Sequence, residues 1–361
     1  MRDYHLILSF ITAFSVVLLA TPALIKVAKM KRLVDEPSEA RKKHTTSIPT
    51  IGGVIIFSAF IFSSFLWLPV NDQGVIDGLQ QFMFLMASLI LLFFVGVKDD
   101  IIGMSPMKKL IAHVMVGFIL VVMGGIKITS FHGLLGMDIM LPDYASILLS
   151  IFIYIVVVNS INLIDGVDGL ASGIGLLSTC VFGIWFAHYD QMHWAVVSFS
   201  LSGALLGFLV FNFNPARIFM GDSGSLIIGA VISVLAIQLI ESPIDKLPAD
   251  YQMISTPVMA MAILAYPLLD TLRVFIIRTS KGKSPLSADR THLHHRLQDR
   301  GFGHRKTVLI IYIFNLFMMG QAFFIQFENP NFSFLVSLGF ALLFILLVFL
   351  GKKKLNTDES E

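Results

Sequence analysis

Apolar residues run along this chain in long stretches, and polar residues return mainly between them. About 20 apolar residues are enough for a helix to cross a bilayer. Such stretches fall near 4–25, 51–70, 80–97, 108–124, 144–163, 170–187, 194–213, 224–240, 253–277, 307–326 and 332–350. The pattern predicts an all-α, polytopic membrane protein of about eleven transmembrane helices. Residues 1–350 read as a single integral membrane domain and 351–361 as a short cytoplasmic tail; no internal repeat or low-complexity linker marks a further unit. Composition agrees: 56% of residues are hydrophobic and 14% charged, where soluble chains carry roughly 25% charged residues.

The polar segments set an orientation, because Lys and Arg collect on the cytoplasmic side. With the N-terminus outside, the cytoplasmic segments are 26–50, 98–109, Arg217, 273–306 and Lys352–Lys354, which hold 23 of the 26 basic residues. Arg2, Lys127 and Lys246 fall on the other side. The expected topology is N-out and C-in. The first stretch carries its basic residues after the apolar run (Lys26, Lys29, Lys31, Arg32), which marks a retained anchor rather than a cleaved signal. Cys180 is the only cysteine, so no intramolecular disulfide forms, and its apolar surroundings read as packing.

Against this background seven polar residues stand out at the ends of apolar stretches: Asp99, Asp100, Asn159, Asn162, Asp165, Asp168 and Asp222. A charge inside a bilayer costs on the order of 2.5–3.5 kcal/mol, so such residues are functional candidates by default. Three of the clusters adjoin glycines: Asp99-Asp100-Ile-Ile-Gly103, Asp165-Gly166-Val-Asp168-Gly169 and Gly221-Asp222-Ser223-Gly224-Ser225. Glycine lets backbone N–H groups approach phosphate while carboxylates hold a cation, the needs of a magnesium–phosphate site. The topology places all of them on the cytoplasmic face. Asn159, Asn162 and Asp165 recur every third residue and share a stripe of roughly 120° on one helix. Helix-to-helix hydrogen bonding explains one such Asn, but not two Asn and two Asp within ten residues. Asp222 or Ser223 could serve as a simple helix N-cap, yet capping needs one such residue, not a serine pair and two glycines.

The segment Asp289-Arg290-Thr-His292-Leu-His294-His295 gathers cations and imidazoles on the same face. Arg pairs with phosphate bidentately and His donates to anions. A zinc site is the weaker alternative, since no cysteine accompanies the histidines. Lys43 and His44 open a similar stretch ending at Gly52-Gly53, where Lys43 also fits a plain positive-inside charge. Asp270 and Arg273, spaced i,i+3, read as a structural ion pair, and His113 as a packed residue. Lys98 places a cation directly before the acidic pair, positioned to lower the pKa of Asp99.

Together, Lys43-His44 to Gly52-Gly53, Asp99-Asp100, the run Asn159 to Leu170, Phe219-Met-Gly221-Asp222-Ser-Gly-Ser225 and Asp289 to His295 resemble the polyprenyl-phosphate N-acetylhexosamine-1-phosphate transferases, closest to the bacterial undecaprenyl-phosphate GlcNAc-1-phosphate enzymes. The resemblance implies transfer of a sugar-1-phosphate from a UDP-N-acetylhexosamine to undecaprenyl phosphate, with release of UMP, at the cytoplasmic face of a bacterial plasma membrane. It implies Mg²⁺, or Mn²⁺ in its place, held by Asn162 and Asp222. Asp99 and Asp100 match the acidic pair at the lipid phosphate, and Asp165 matches a position close to the reacting phosphorus. Asp168 and Phe219 match the positions that hold uracil, with Lys43, Asn159, Arg290, His292, His294 and His295 completing the substrate contacts. No nucleic-acid partner is expected, and a homodimer stays open.

Two other readings compete. The split pattern His292-Leu-His294-His295 favours a simple N-acetylhexosamine donor over the phospho-MurNAc-pentapeptide of peptidoglycan synthesis. A cation-coupled transporter would also place acids in the membrane, but near its midplane and in related halves, which this chain lacks.

Overall fold

The computed structural model of the protein describes residues 3–31, 33–35, 48–243, 251–282 and 292–350. Lys43, His44, Asp289, Arg290 and the tail 351–361 lie outside these residues. The described chain is helical apart from one short antiparallel pair, β1 (Val34–Asp35) with β2 (Ile48–Pro49). The helices are α1 (Asp3–Met30), α2 (Gly52–Leu66), α3 (Gln73–Ile102), α4 (Pro106–Phe118), α5 (Asp143–Ile164), α6 (Leu170–His188), α7 (Met192–Asn212), α8 (Asp222–Ile240), α9 (Thr256–Ile263), α10 (Ala265–Ser280), α11 (Leu293–Asp299), α12 (His304–Phe324) and α13 (Pro330–Leu350). Among the described residues nine are long and apolar enough to cross a membrane, α4 being continued by a π turn to Met123. This is a multi-pass membrane protein.

Two of the eleven apolar stretches give something other than one full-length span. The stretch 51–70 forms only the 15 residues of α2. The stretch 253–277 is broken at Leu264 into α9 and α10, which meet at 78°. The cause is Pro267, which has no N–H to give the Ile263 carbonyl four residues earlier and whose ring would clash with it. Asn315 on α12 repairs the break from outside: its Nδ2 donates to Ile263 O and its Oδ1 accepts from Tyr266 N, each at 3.0 Å. A break of this kind survives in a membrane only where a neighbouring helix satisfies the freed backbone groups.

The most deeply buried helix is α8, surrounded by α2, α3, α5, α6 and α9. Its apolar side chains face protein on nearly every side, so its sequence is apolar all round rather than striped. Glycines let neighbours approach its first turn at backbone distance: a Cβ on Gly53 would sit 2.1 Å from Gly224 N, and one on Gly96 2.4 Å from Ser223 Cα. The helices α2 and α3 therefore converge on the start of α8.

Contacts at the helix ends sort them into two sides. On one side His5, near the start of α1, donates from Nδ1 to Trp67 O after α2 at 2.9 Å, and Glu241 at the end of α8 accepts from Thr129 N at 2.9 Å. Asn331 at the start of α13 joins that side by accepting from Leu135 N at 2.7 Å. On the other side the end of α3 meets the starts of α4 and α8 beside the end of α5. The acidic cluster belongs to this second side, whereas Glu241, Thr129 and His132 form a polar group on the first.

Candidate active site

The start of α8 has four backbone N–H groups with no partner in the helix. Gly221, its N-cap, adopts φ +73°, a left-handed conformation that glycine tolerates, and supplies no side chain. The cap comes instead from another helix. Asp100 of α3 accepts from Asp222 N at 2.6 Å and from Ser223 N at 3.0 Å. Asp222 is thus relieved of the capping role and its carboxylate is free for other partners.

Those partners are specific. Lys109, in the first turn of α4, places its Nζ 2.5 Å from Asp222 Oδ2 and 2.5 Å from Asp99 Oδ2. Asn162 Nδ2 donates to Asp222 Oδ1 at 2.6 Å and to Ser225 Oγ at 2.8 Å. Asp99 Oδ1 accepts from Met104 N at 2.6 Å, folding the chain back behind Gly103 into α4. Four helices therefore contribute to one hydrogen-bonded cluster of Asp99, Asp100, Lys109, Asn162 and Asp222. Lys98, expected to be the cation at Asp99, is exposed; Lys109 takes that place. The reason is geometric: Lys98 precedes Asp99 on a helix, so its side chain leaves about 100° away, whereas the turn at Gly103 returns Lys109 to Asp99.

Beyond the end of α5, Asp165 is half-buried and its side chain has no hydrogen-bond partner among the described residues. Burial, reinforced by the charges of Asp222, Asp100 and Asp168, holds its carboxyl well above the usual carboxylate range. The next turn is tied to the loop before α8 by Asn212, whose Oδ1 accepts from Gly169 N and Ser172 Oγ at 3.1 and 2.9 Å while Nδ2 donates to Ile218 O at 3.0 Å. Asp168 shapes the same loop through Oδ2, which accepts from Asn214 Nδ2 and Ala216 N at 3.0 and 3.1 Å. Phe219 sits half-buried on that loop, its backbone pairing with Pro49 O at 2.7 Å and Gly52 N at 2.9 Å. Asn159, one turn deeper, turns its Nδ2 onto its own helix at Ile155 O.

The histidines form a separate group. The His292 and His294 rings lie 5.4 Å apart and nearly parallel, with His295 4.3 Å from His294. Burial pushes His294 down to about 3, so it stays neutral. The fully buried Asp270 on α10 accepts from His292 Nδ1 and from Leu293 N, each at 2.7 Å. Its two oxygens are thus engaged by the histidine segment, while the guanidinium of Arg273 lies over the Phe349 ring. The ion-pair reading of Asp270 and Arg273 overlooked the first of these arrangements.

Residues 81–240, which contain every acidic member of the cluster, match the family model described as Glycosyl transferase family 4. The decaprenyl-phosphate N-acetylglucosaminephosphotransferase of Mycobacterium tuberculosis is 33% identical over 345 residues, covering 91% of this chain and 84% of that protein. The chain belongs to glycosyl transferase family 4. Two further relatives are undecaprenyl-phosphate alpha-N-acetylglucosaminyl 1-phosphate transferases. That of Yersinia pestis is 28% identical over 85% of this chain and 80% of its own length, and that of Escherichia coli 28% over 79% and 74%.

In this family 4 member, Asp99, Asp100, Asn162 and Asp222 come together directly, while the side chain of Asp165, at the end of α5, makes no hydrogen bond to them. Asp168 and Phe219 share the adjoining loop, and His292, His294 and His295 cluster around Asp270. Lys43 and Arg290 fall outside the described residues. His113 is packed as expected, 1% exposed against Tyr154. Two residues were missed. Lys109 was counted only as a positive-inside charge, although a lysine in the first turn of a helix opposes the helix dipole and invites a search for a carboxylate. Asp270 was absorbed into a local pair, although an acid this deep in an apolar stretch carries its own functional presumption.

Proposed function

We propose that the protein transfers N-acetylglucosamine-1-phosphate from UDP-N-acetylglucosamine to undecaprenyl phosphate, releasing UMP, at the cytoplasmic face of the bacterial plasma membrane. This would be the first membrane step in making a cell-envelope polysaccharide. The observation that carries the reading is the joining of Asp99, Asp100, Lys109, Asn162 and Asp222 into one cluster at the ends of membrane helices. Relatives named for this transfer to polyprenyl phosphates support the choice of sugar and acceptor.

The chemistry asks the protein mainly for positioning and charge neutralisation. An oxygen of the lipid phosphate attacks the sugar-bearing phosphorus of the donor, and the bond from that phosphorus to the oxygen bridging it to UMP breaks. UMP leaves with that oxygen. A phosphate monoester has its second pKa near 6, so the acceptor needs no strong base, and Asp99 serves to orient it. Lys109 holds the cluster's negative charge in check when the anionic donor arrives.

A divalent cation fits the cluster. Asp222 and the side-chain amide of Asn162 meet at 2.6 Å at the start of α8, a carboxylate beside a neutral polar group. Magnesium is bound by one or two carboxylates together with substrate phosphates, so a cluster with few carboxylates suffices. We assign Asp222 and, with its amide turned, the oxygen of Asn162 as its ligands, with Mn²⁺ as a substitute. Such a cation would neutralise charge on the diphosphate.

Incubation of purified protein with radiolabelled UDP-GlcNAc, polyprenyl phosphate and Mg²⁺ tests the reading. Label should pass to the lipid extract, with UMP released. Parallel UDP-GalNAc and UDP-MurNAc-pentapeptide reactions report the donor, and UMP release with the pentapeptide alone would move the chain to the peptidoglycan branch.

A further inference from the structure

Asp270 is a buried acid on the site's side of the membrane that the acidic cluster leaves unused. Its side chain is fully buried, yet both oxygens are engaged: Oδ2 accepts from His292 Nδ1 and Oδ1 from Leu293 N, each at 2.7 Å. The second bond fixes the backbone at the start of α11, where N–H groups need acceptors. The first fixes an imidazole. A carboxylate can only accept, so the hydrogen lies on Nδ1. His292 Nε2 then carries the ring's remaining function. It has no partner among the described residues, and it is not among the buried polar atoms left without one. The ring is otherwise enclosed, 6% exposed and stacked on His294.

We propose that Asp270 is a positioning residue for His292: it commits Nδ1 to the protein so that Nε2 alone is offered to a phosphate oxygen of the sugar nucleotide. The inference rests on the donor proposed above. Its logic is that of a ligand histidine whose second nitrogen is held by a carboxylate, which sets tautomer and ring direction. His294, being neutral and buried beside it, serves as a wall that keeps the His292 ring from turning.

Kinetics of Asp270→Asn, His292→Gln and the double variant test this. Asn keeps one acceptor oxygen but cannot serve both partners. Loss of such a supporting group costs about 10- to 100-fold, here expected in kcat/KM for UDP-GlcNAc with KM for polyprenyl phosphate unchanged. In the His292→Gln background, where no Nδ1 remains to be held, Asp270→Asn should cost little more. Full additivity would mean that Asp270 serves the fold alone and would overturn the inference. Equal weakening towards both substrates would overturn it as well. Should Asp270→Asn fail to insert, ¹⁵N NMR of histidine-labelled wild type, assigned with His292→Gln, must show a protonated Nδ1; a neutral ring protonated only at Nε2 refutes the proposal. A wild-type protein that makes no labelled lipid refutes the donor assignment itself, whereas active wild type with additive costs refutes only the role of Asp270.

Discussion

The Lys109 ammonium lies between two carboxylates that would otherwise repel each other across the start of α8. Unit charges about 4 Å apart near a protein surface interact by about 4 kcal/mol, so the lysine offsets the repulsion that Asp99 and Asp222 would have for each other and for an anionic donor. Lys109→Met should lower kcat by about 100-fold, the size of effect seen when one charge-stabilising donor is lost. Raised Mg²⁺ should return part of it, and unchanged turnover at low Mg²⁺ would exclude the role. Asp222→Asn should nearly abolish turnover in protein that still inserts, while Asn162→Ala should only raise the Mg²⁺ requirement, because the carboxylate remains. Activity of Asp222→Asn at ordinary Mg²⁺ would sink the metal assignment. Asp99, Asp100, Asn162 and Asp222 were legible in the sequence because polar residues in apolar stretches have few other reasons to exist. Lys109 was not, since a basic residue at a cytoplasmic helix end needs no special explanation.

At the scale of helices, hydropathy found the spans but not their interruptions. Pro267 lies inside an apolar run, and hydropathy does not register a missing N–H. The partner that makes the break tolerable, Asn315, lies about fifty residues further on, and only the packing of α12 against α9 brings it there. Asn315→Ala would strand the Tyr266 N–H in an apolar interior and leave the Ile263 carbonyl only the long 3.4 Å bond from Ser178 Oγ. A stranded group costs about 1–3 kcal/mol, so thermal unfolding in detergent should begin markedly earlier; an unchanged midpoint would show that the break is stable without its repair. The cap of α8 was hidden for the same reason. A local reading offers Asp222 or Ser223 as N-cap, and the actual acceptor, Asp100, belongs to a helix more than a hundred residues earlier in the chain.

For the molecule as a whole, the separation of helix ends into two sides places the polar cluster opposite the start of α1 and on the side where α13 ends. The distribution of Lys and Arg predicts that the polar side is cytoplasmic, and accessibility to an impermeant thiol reagent tests that direction. In a Cys180→Ser background, Thr45→Cys, Met104→Cys and Arg290→Cys should resist labelling in intact cells, and Gly74→Cys and Lys246→Cys should react. Labelling at position 290 from outside would reverse the orientation and remove the site from cytosolic nucleotide sugars.

The end of α13 is gripped by three arginines. Arg273 of α10 and Arg296 of α11 each lie 4.7 Å from the centre of the Phe349 ring, and Arg300 donates to Leu347 O at 2.8 Å. These arginines flank the histidine segment in the chain, so the segment's frame is closed by α13, which is synthesised after it. The acidic cluster can assemble once α8 has entered the membrane, since all its members come from α3, α4, α5 and α8. The histidine segment must wait about fifty residues more for Phe349. A nascent chain thus acquires its acidic pole early and its imidazole frame only when translation reaches the end of α13, and a ribosome that stops short leaves behind a membrane-inserted but unfinished enzyme.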